Sequence, residues 1–337
     1  MKAAVVVATN QPWEIRELPN PKPQAGQVLI KIHASGMCGT DVHLYHGVFP
    51  AKLPIVAGHE PVGEIVELGA GVTHLKKGDR VGVSWNQDGC GRCLYCQQQR
   101  KKYCEGRPEG PQSWTDLGGG NSELMLAWAE GCTLLPEGLD YENAAPLFCA
   151  GFTIASGYFN ANPVPGETIA VLGLGGLGHL AVQYAKAKGH PVIVLTRSAN
   201  KEQLAKQLGA DEVIVTQDDF GQALAQRGGA DVILNTSSSM KEANQALTGL
   251  HPEGRLVCMG ISDEALEISP MAIIGKQYKI LGSMQNNRSD LVDILHLTAQ
   301  GKIKPMLELY SLDDVNKALQ RLIDGKVRFR AVIKYTI

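Results

Sequence analysis

Thr168-Ile-Ala-Val-Leu-Gly-Leu-Gly-Gly-Leu-Gly178 is the stretch on which the fold turns. Thr168–Leu172 reads as a short buried strand, and the apolar run His179–Lys188 that follows reads as a helix. Between them lie Gly173, Gly175, Gly176, Leu177 and Gly178. A Gly-x-Gly-x-x-Gly alone is weak evidence, but a strand before it and a helix after it are the context of a dinucleotide-binding turn. The glycines permit the turn and let a pyrophosphate approach a helix N-terminus, where free N–H groups and the helix dipole favour an anion.

Working outward, strands and helices alternate on the C-terminal side. Pro191–Thr196, Glu212–Val215, Ala230–Asn235, Arg255–Met259 and Tyr278–Gly282 join Thr168–Leu172 as near-continuous apolar strands. Such strands imply a parallel sheet covered on both faces, here an α/β, doubly wound, six-stranded Rossmann arrangement over residues 151–286. On the N-terminal side the pattern changes near Asn162-Pro-Val-Pro-Gly166. Residues 1–150 read as short strands such as Val28–His33, Gly63–Leu68 and Arg80–Val83, punctuated by Pro- and Gly-rich turns. That is a mostly β domain rich in loops, where functional side chains tend to sit. A helix near Ser289–Gly301 and a strand Arg330–Lys334 return the chain, as residues 287–337, to this first domain.

Bulk properties narrow the function classes. The 337 residues are 44% hydrophobic and 20% charged, ample for two soluble domains. A net charge of −2 and no basic cluster beyond Arg100–Lys102 argue against nucleic acid as a partner. No apolar run approaches the ~18–20 residues of a membrane span. The apolar start Met1–Ala8 meets Asn10, Pro12 and Trp13 at once, so a first strand is expected rather than an export signal, and the expected compartment is the cytoplasm. In a reducing compartment eight cysteines suggest thiolate ligands rather than disulfides.

Four of them, Cys90-x2-Cys93-x2-Cys96-x7-Cys104, have the spacing of a closed tetrahedral zinc site. Four sulfurs leave no open coordination position, so the site should be structural. An iron–sulfur cluster competes for the same C-x2-C-x2-C spacing, but the ferredoxin run places its fourth Cys earlier and before a Pro. Unliganded core cysteines are the remaining reading.

A second group has a different chemistry. Cys38, Thr40, Asp41 and His43 lie within Gly36–His43, and His59 and Glu60 follow in Gly58-His-Glu60. A zinc that does chemistry needs about three protein ligands, an open position and neighbours that move protons. Cys38 and His59 are the candidate ligands, Asp41 a natural acceptor for the far nitrogen of a ligating His, and Thr40 a hydroxyl able to pass on an alcohol proton. His43 has the pKa range to receive it near neutral pH. Either ligand alone would be an ordinary core residue.

Cys38-Gly-Thr-Asp-Val-His43, Gly58-His-Glu60, the four-Cys segment and Gly173–Gly178 together resemble a zinc-dependent medium-chain alcohol dehydrogenase, in the family's order and over essentially the whole chain. The resemblance implies a GroES-like catalytic domain and an oxidoreductase acting on CH–OH groups. It implies two zinc ions per chain, with Cys38, His59 and Cys149 ligating the catalytic one and Glu60 as an exchanging carboxylate. Cys149, in Leu147-Phe-Cys-Ala-Gly151, is assigned by resemblance alone and favours simple alcohols over sugars. The resemblance also implies a homo-oligomer, dimer or tetramer. Gly39 departs from members that carry a basic residue there, which leaves the diphosphate to the glycine turn and, by resemblance, to Arg330.

Cofactor choice is read at the end of the second nucleotide-domain strand, where an acid would hold the ribose 2′-OH of NAD. Here Thr196, Arg197, Ser198 and Lys201 offer hydroxyls and cations instead, suited to a 2′-phosphate. NADP(H) is therefore expected in preference to NAD(H), which resembles the branch containing the cinnamyl alcohol dehydrogenases. Phe49 and Trp85 are candidates for an apolar wall around a small alcohol or aldehyde, or else core aromatics. Competing functions are a polyol or other specific secondary-alcohol dehydrogenase, and a non-catalytic binding or sensor protein on the same fold.

Overall fold

Strand-forming segments in the first 150 residues pair mainly through one strand. The computed structural model describes residues 1–49, 51–85, 89–98, 100–105 and 118–335. The chain folds as two compact units, one of Met1–Ala150, Asn287–Ala299 and Pro305–Ile337, the other of Gly151–Asn286 and Gln300–Lys304.

In the first unit β1 (Lys2–Val6) pairs with β2 (Glu14–Glu17) and β3 (Gln27–Met37) organises the larger sheet. It is joined there by β5 (Glu60–Leu68), β6 (Arg80–Val83), β7 (Leu124–Trp128) and β8 (Cys132–Leu134), while the short β4 (Ile55–Val56) pairs with β1. Val28, Ile30 and Ile32 alternate along β3 and pack with Ile65, Val81, Val83 and Met125 in one buried cluster. Each side chain of that size contributes roughly 1.5–3 kcal/mol on burial.

The second unit contains β9 (Ile169–Leu172), β10 (Val192–Thr196), β11 (Glu212–Val215), β12 (Ala230–Asn235), β13 (Leu250–Cys258) and β14 (Lys279–Gly282). All pairings are parallel, in the order β11-β10-β9-β12-β13-β14. Ala170, Leu172, Leu195, Ile233 and Leu256 form its core with Phe220, Leu224 and Leu247 from covering helices. The expected doubly wound six-stranded α/β sheet is thus present. Residues Gln300–Lys304 lie with this unit because the Gln183 side chain binds Lys304 at both its carbonyl (3.2 Å) and its N–H (2.8 Å).

The chain then returns to the first unit. Helix Arg288–Ala299 is followed by β15 (Leu307–Tyr310) and β16 (Arg330–Lys334), and β16 runs antiparallel to β3. Register decides what meets at this end of the sheet. Met37 faces Ala331 across one pair and Gly36 faces Glu60 across another. The end of β3, the start of β5 and the start of β16 therefore converge, and helix Gly39–His46 begins at the same place.

Candidate functional site

Cys38 follows β3 directly and is the N-cap of helix Gly39–His46. Its Sγ accepts from the Thr40 N–H at 3.3 Å, and Asp41 Oδ2 reaches back to accept from the Cys38 N–H at 2.8 Å. This reciprocal capping box fixes the helix start and aims the sulfur. Cys38 Sγ lies 3.1 Å from His59 Nε2 and 3.9 Å from Cys149 Sγ. The turn Ala145–Phe148, packed on β3 and β5, delivers Cys149. One ligand atom from each of Cys38, His59, Glu60 and Cys149 falls within 4.8 Å of the others. Two sulfurs, an imidazole nitrogen and a carboxylate at that spacing fit a zinc ion with an exchangeable position.

Electrostatics prepare the same atoms. The Cys149 thiol beside it holds Cys38 well below the usual thiol range, against the opposing effect of burial and with help from His59. Burial disfavours a charge on His59, but the Cys38 sulfur and the Asp41 carboxylate outweigh it and raise its proton affinity. Asp41 Oδ1 stands 3.7 Å from His59 Nδ1, so one carboxylate caps the helix with one oxygen and faces the imidazole with the other.

Glu60 is fully buried, and burial pushes its carboxyl up to about 7 even though the Arg330 guanidinium pulls the other way. Arg330 Nη2 pairs with Glu60 Oε1, and Arg330 itself is 3% exposed. A Cβ at Gly36 would sit 1.8 Å from Glu60 Oε2, so only glycine leaves room for this carboxylate. Arg330 Nε and Glu60 Oε2 have no hydrogen-bond partner among the described residues. Two orphaned polar atoms of opposite character beside the cluster fit a site that takes a further group. Sequence reasoning gave Arg330 to a diphosphate and did not foresee Glu60 as its partner. The two are 270 positions apart, and the β16–β3 and β3–β5 registers together bring them into contact.

Thr40 is buried in the first turn of the helix and His43, half-buried, follows it by three residues. The His43 ring meets Phe49 edge-on at 5.4 Å, Phe49 meets Trp85 at 6.0 Å, and Trp85 meets His59 at 5.7 Å. Phe49 and Trp85 are also partly buried against a core cluster that includes Ala4, Val6, Trp13 and Leu44.

The second cluster is local. Cys90, Cys93, Cys96 and Cys104 bring their sulfurs within 4.8 Å of one another. The Cys90 N–H donates to Cys104 Sγ at 3.2 Å and the Cys93 N–H to Cys90 Sγ at 3.4 Å. Backbone N–H groups of Arg92 and Cys93 bring the Cys90 thiol down to about 6, whereas burial pushes Cys96 up to about 12. A metal binding here takes the sulfurs as thiolates and releases thiol protons as it does so.

In the second unit β9 ends at Leu172 and the turn begins with Gly173 at φ +88°. A Cβ on Gly178 would lie 2.1 Å from the Gly173 carbonyl, while above Gly175 nothing stands within 4 Å. Gly175 is exposed, and Gly176 and Leu177 are half-buried. This is a cradle closed below and open above, matching an approaching diphosphate. Thr196 closes β10 and its Oγ1 accepts from the Ser198 N–H at 3.1 Å. Lys201 Nζ donates to the Leu174 carbonyl of the glycine turn at 3.0 Å. Arg197 is engaged elsewhere: its Nε lies 2.7 Å from Glu242 Oε1. Nothing in the sequence reading flagged Glu242, because Ser239-x-x-Glu242 signals only a helix start.

Comparison with known proteins agrees with both halves. The family described as "Alcohol dehydrogenase GroES-like domain" matches residues 24–137, and "Zinc-binding dehydrogenase" matches residues 176–300. An alcohol dehydrogenase of Geobacillus stearothermophilus is 39% identical over 338 residues, covering 99% of each chain. A cinnamyl alcohol dehydrogenase of Sorghum bicolor superposes with a TM-score of 0.89 at 30% identity, covering 99% of this chain and 97% of its own. An acetophenone reductase of Geotrichum candidum, solved in complex with NAD, gives 0.88 at 28% identity over 99% and 97%. With its cysteine–histidine cluster, its glycine turn and relatives matched end to end, the chain belongs to the zinc-binding alcohol dehydrogenases of the medium-chain family.

Proposed function

We propose that this alcohol dehydrogenase holds two zinc ions per chain and interconverts a primary or small secondary alcohol with its aldehyde or ketone, using NADP(H) in preference to NAD(H). The observation that carries the cofactor choice is Thr196, a hydroxyl at the end of β10 where an NAD site places an acid, followed by Arg197 and Lys201. The Sorghum relative is a cinnamyl alcohol dehydrogenase and the Geotrichum relative an acetophenone reductase, which supports both a primary alcohol and a ketone as substrates to test here.

Cys38, His59 and Cys149 would hold a zinc that would supply a Lewis acid for the substrate oxygen, and a bound nicotinamide would supply hydride chemistry. The chain's own residues do the rest. Asp41 faces His59 Nδ1 and keeps the ring oriented with Nε2 toward Cys38 Sγ, where it would ligate the metal. Thr40, buried next to Cys38, accepts the alcohol proton, and His43, half-buried one turn on, receives it and releases it to solvent. Glu60, poised near neutrality with Arg330 against it, is the carboxylate that exchanges with substrate or water. Cys90, Cys93, Cys96 and Cys104 hold the structural zinc.

The same reading makes the protein cytoplasmic, in keeping with eight cysteines all in the free state. Among the described residues no helix is long and apolar enough to cross a membrane. It also makes the protein a homo-oligomer, read by sedimentation. β14 pairs only with β13 among the described strands, and the helix leading into it exposes Met271 and Ile274.

Steady-state kinetics with benzaldehyde and acetophenone test the cofactor choice. NADPH is expected to give the higher kcat/KM by about three- to tenfold, reflecting one charge-assisted contact. A higher value with NADH overturns it. Thr196→Asp should move the preference toward NADH.

A further inference from the structure

Arg197 and Glu242 face each other across the place where the strand order reverses. The sheet runs β11-β10-β9-β12-β13-β14, so the switch point lies between β9 and β12, where open α/β sheets bind their ligands. Arg197 is the first residue after β10, on one side of β9. Glu242 is the third residue of helix Met240–Leu247, which follows β12 on the other side. Strands two apart stand roughly 9–10 Å from each other, so the 2.7 Å Nε–Oε1 contact carries the arginine over the C-terminal end of β9, at the glycine turn.

The two partners are held unequally. Glu242 is 14% exposed, its Oε2 accepts from Ser237 Oγ at 3.2 Å, and its backbone N–H bonds the Ser239 cap at 3.4 Å. Arg197 is 47% exposed, and apart from Glu242 the described residues anchor it at its backbone carbonyl, which accepts from Gln217 Nε2. The carboxylate is the fixed member and the guanidinium the movable one. An ion pair this exposed on one side is weak, so its cation can change partners.

We propose that Glu242 is a cofactor-specificity residue: it holds Arg197 against the helix and withholds it from a phosphate on the adenosine 2′ position. The inference rests on the reading that the residues after β10 meet that position. With NAD(H) the ribose hydroxyl leaves the Arg197–Glu242 pair in place. With NADP(H) the phosphate, a dianion of higher charge and bidentate geometry, draws the guanidinium away and stands near a carboxylate left uncompensated. Glu242 therefore narrows the advantage of NADP(H), and the chain accepts both cofactors.

The test is Glu242→Gln, which keeps an oxygen for Ser237 Oγ and removes the charge. Calorimetric titration with 2′,5′-ADP and with 5′-ADP reads the 2′-phosphate contribution without turnover. The variant should bind 2′,5′-ADP about five- to tenfold more tightly than wild type, with a far smaller change for 5′-ADP. In kinetics the gain should fall on KM for NADPH and not on kcat. In an Arg197→Met background the gain should fall to less than half, since the carboxylate then has no cation to withhold and only its repulsion of the phosphate is relieved. Unchanged or weakened 2′,5′-ADP binding in a Glu242→Gln protein that melts like wild type overturns the inference. A wild type that prefers NADH overturns only the NADP reading, because the shift between variant and wild type is scored separately.

Discussion

Cys90 and Cys104 are 14 positions apart and enclose their whole ligand set, whereas Cys38 and Cys149 are 111 apart and need β3, β5, a capped helix and a buried turn to meet. The local cluster is made of one ligand type, sits in a short segment and is served by its own backbone N–H groups. The dispersed cluster mixes ligand types and is ringed by charged and hydrogen-bonding neighbours: Asp41 on His59, Arg330 on Glu60, and Thr40 and His43 on the adjoining helix. A closed set of four sulfurs needs only a loop that can wrap an ion. A set proposed to leave a position open and pass protons needs groups held at fixed spacing by the scaffold, which here the end of a sheet supplies.

Breaking one cluster at a time should separate these roles. If each cluster holds one zinc as proposed, Cys38→Ser should remove one ion and at least about a hundredfold of activity, the size expected when Lewis-acid help is lost. Cys93→Ser should remove the other ion, lower the melting temperature and leave the remaining folded protein active. Metal analysis beside turnover reads both, and full activity in Cys38→Ser would sink the assignment. Arg330→Met probes the ring of neighbours. It leaves Glu60 buried without its cation and should cost about 3 kcal/mol in denaturant unfolding, as broken buried pairs do.

A gentler contrast lies between two glutamate–arginine pairs. Burial dominates at Glu60 and raises its carboxyl, but at Glu167 the Arg255 hydrogen bond dominates and lowers it. Glu167 and Arg255 are 18% and 13% exposed, and Arg255 Nη1 donates to Glu167 Oε1 at 2.9 Å. A depressed carboxyl contributes stability above its unfolded pKa of about 4.3 and loses it as pH falls through the lower folded value. Glu167→Gln should thus cost roughly 1–2 kcal/mol at pH 7, with the gap to wild type closing toward pH 3 in thermal melts. A gap that stays constant with pH would mean that packing, not charge, joins these residues.

The same contrast explains how much was legible in the amino-acid order alone. Three cysteines at two-residue spacing and a fourth nearby carry their geometry in the sequence, as do a strand, a glycine turn and a helix in succession. Cys149 was reachable only through resemblance, since Leu147-Phe-Cys-Ala-Gly151 has the look of an ordinary core segment and its sulfur is placed by the packing of a turn. Arg330 was singled out, but its contact with Glu60 depends on an antiparallel register that no local pattern encodes. Glu242 escaped notice because its partner Arg197 lies 45 positions earlier, two strands away in an order the sequence does not spell out.

The placement of Arg330 also has a consequence for how the protein is made. Glu60 leaves the ribosome 270 residues ahead of the cation it is buried against. At 5–20 residues per second that interval is roughly 15–50 s. During it β3 and β5 can pair, but the edge of β3 that receives β16 is bare and Glu60 has no guanidinium beside it. The ion pair beside the dispersed cluster is thus completed only at the end of synthesis, long after the four cysteines from Cys90 to Cys104 have left the ribosome.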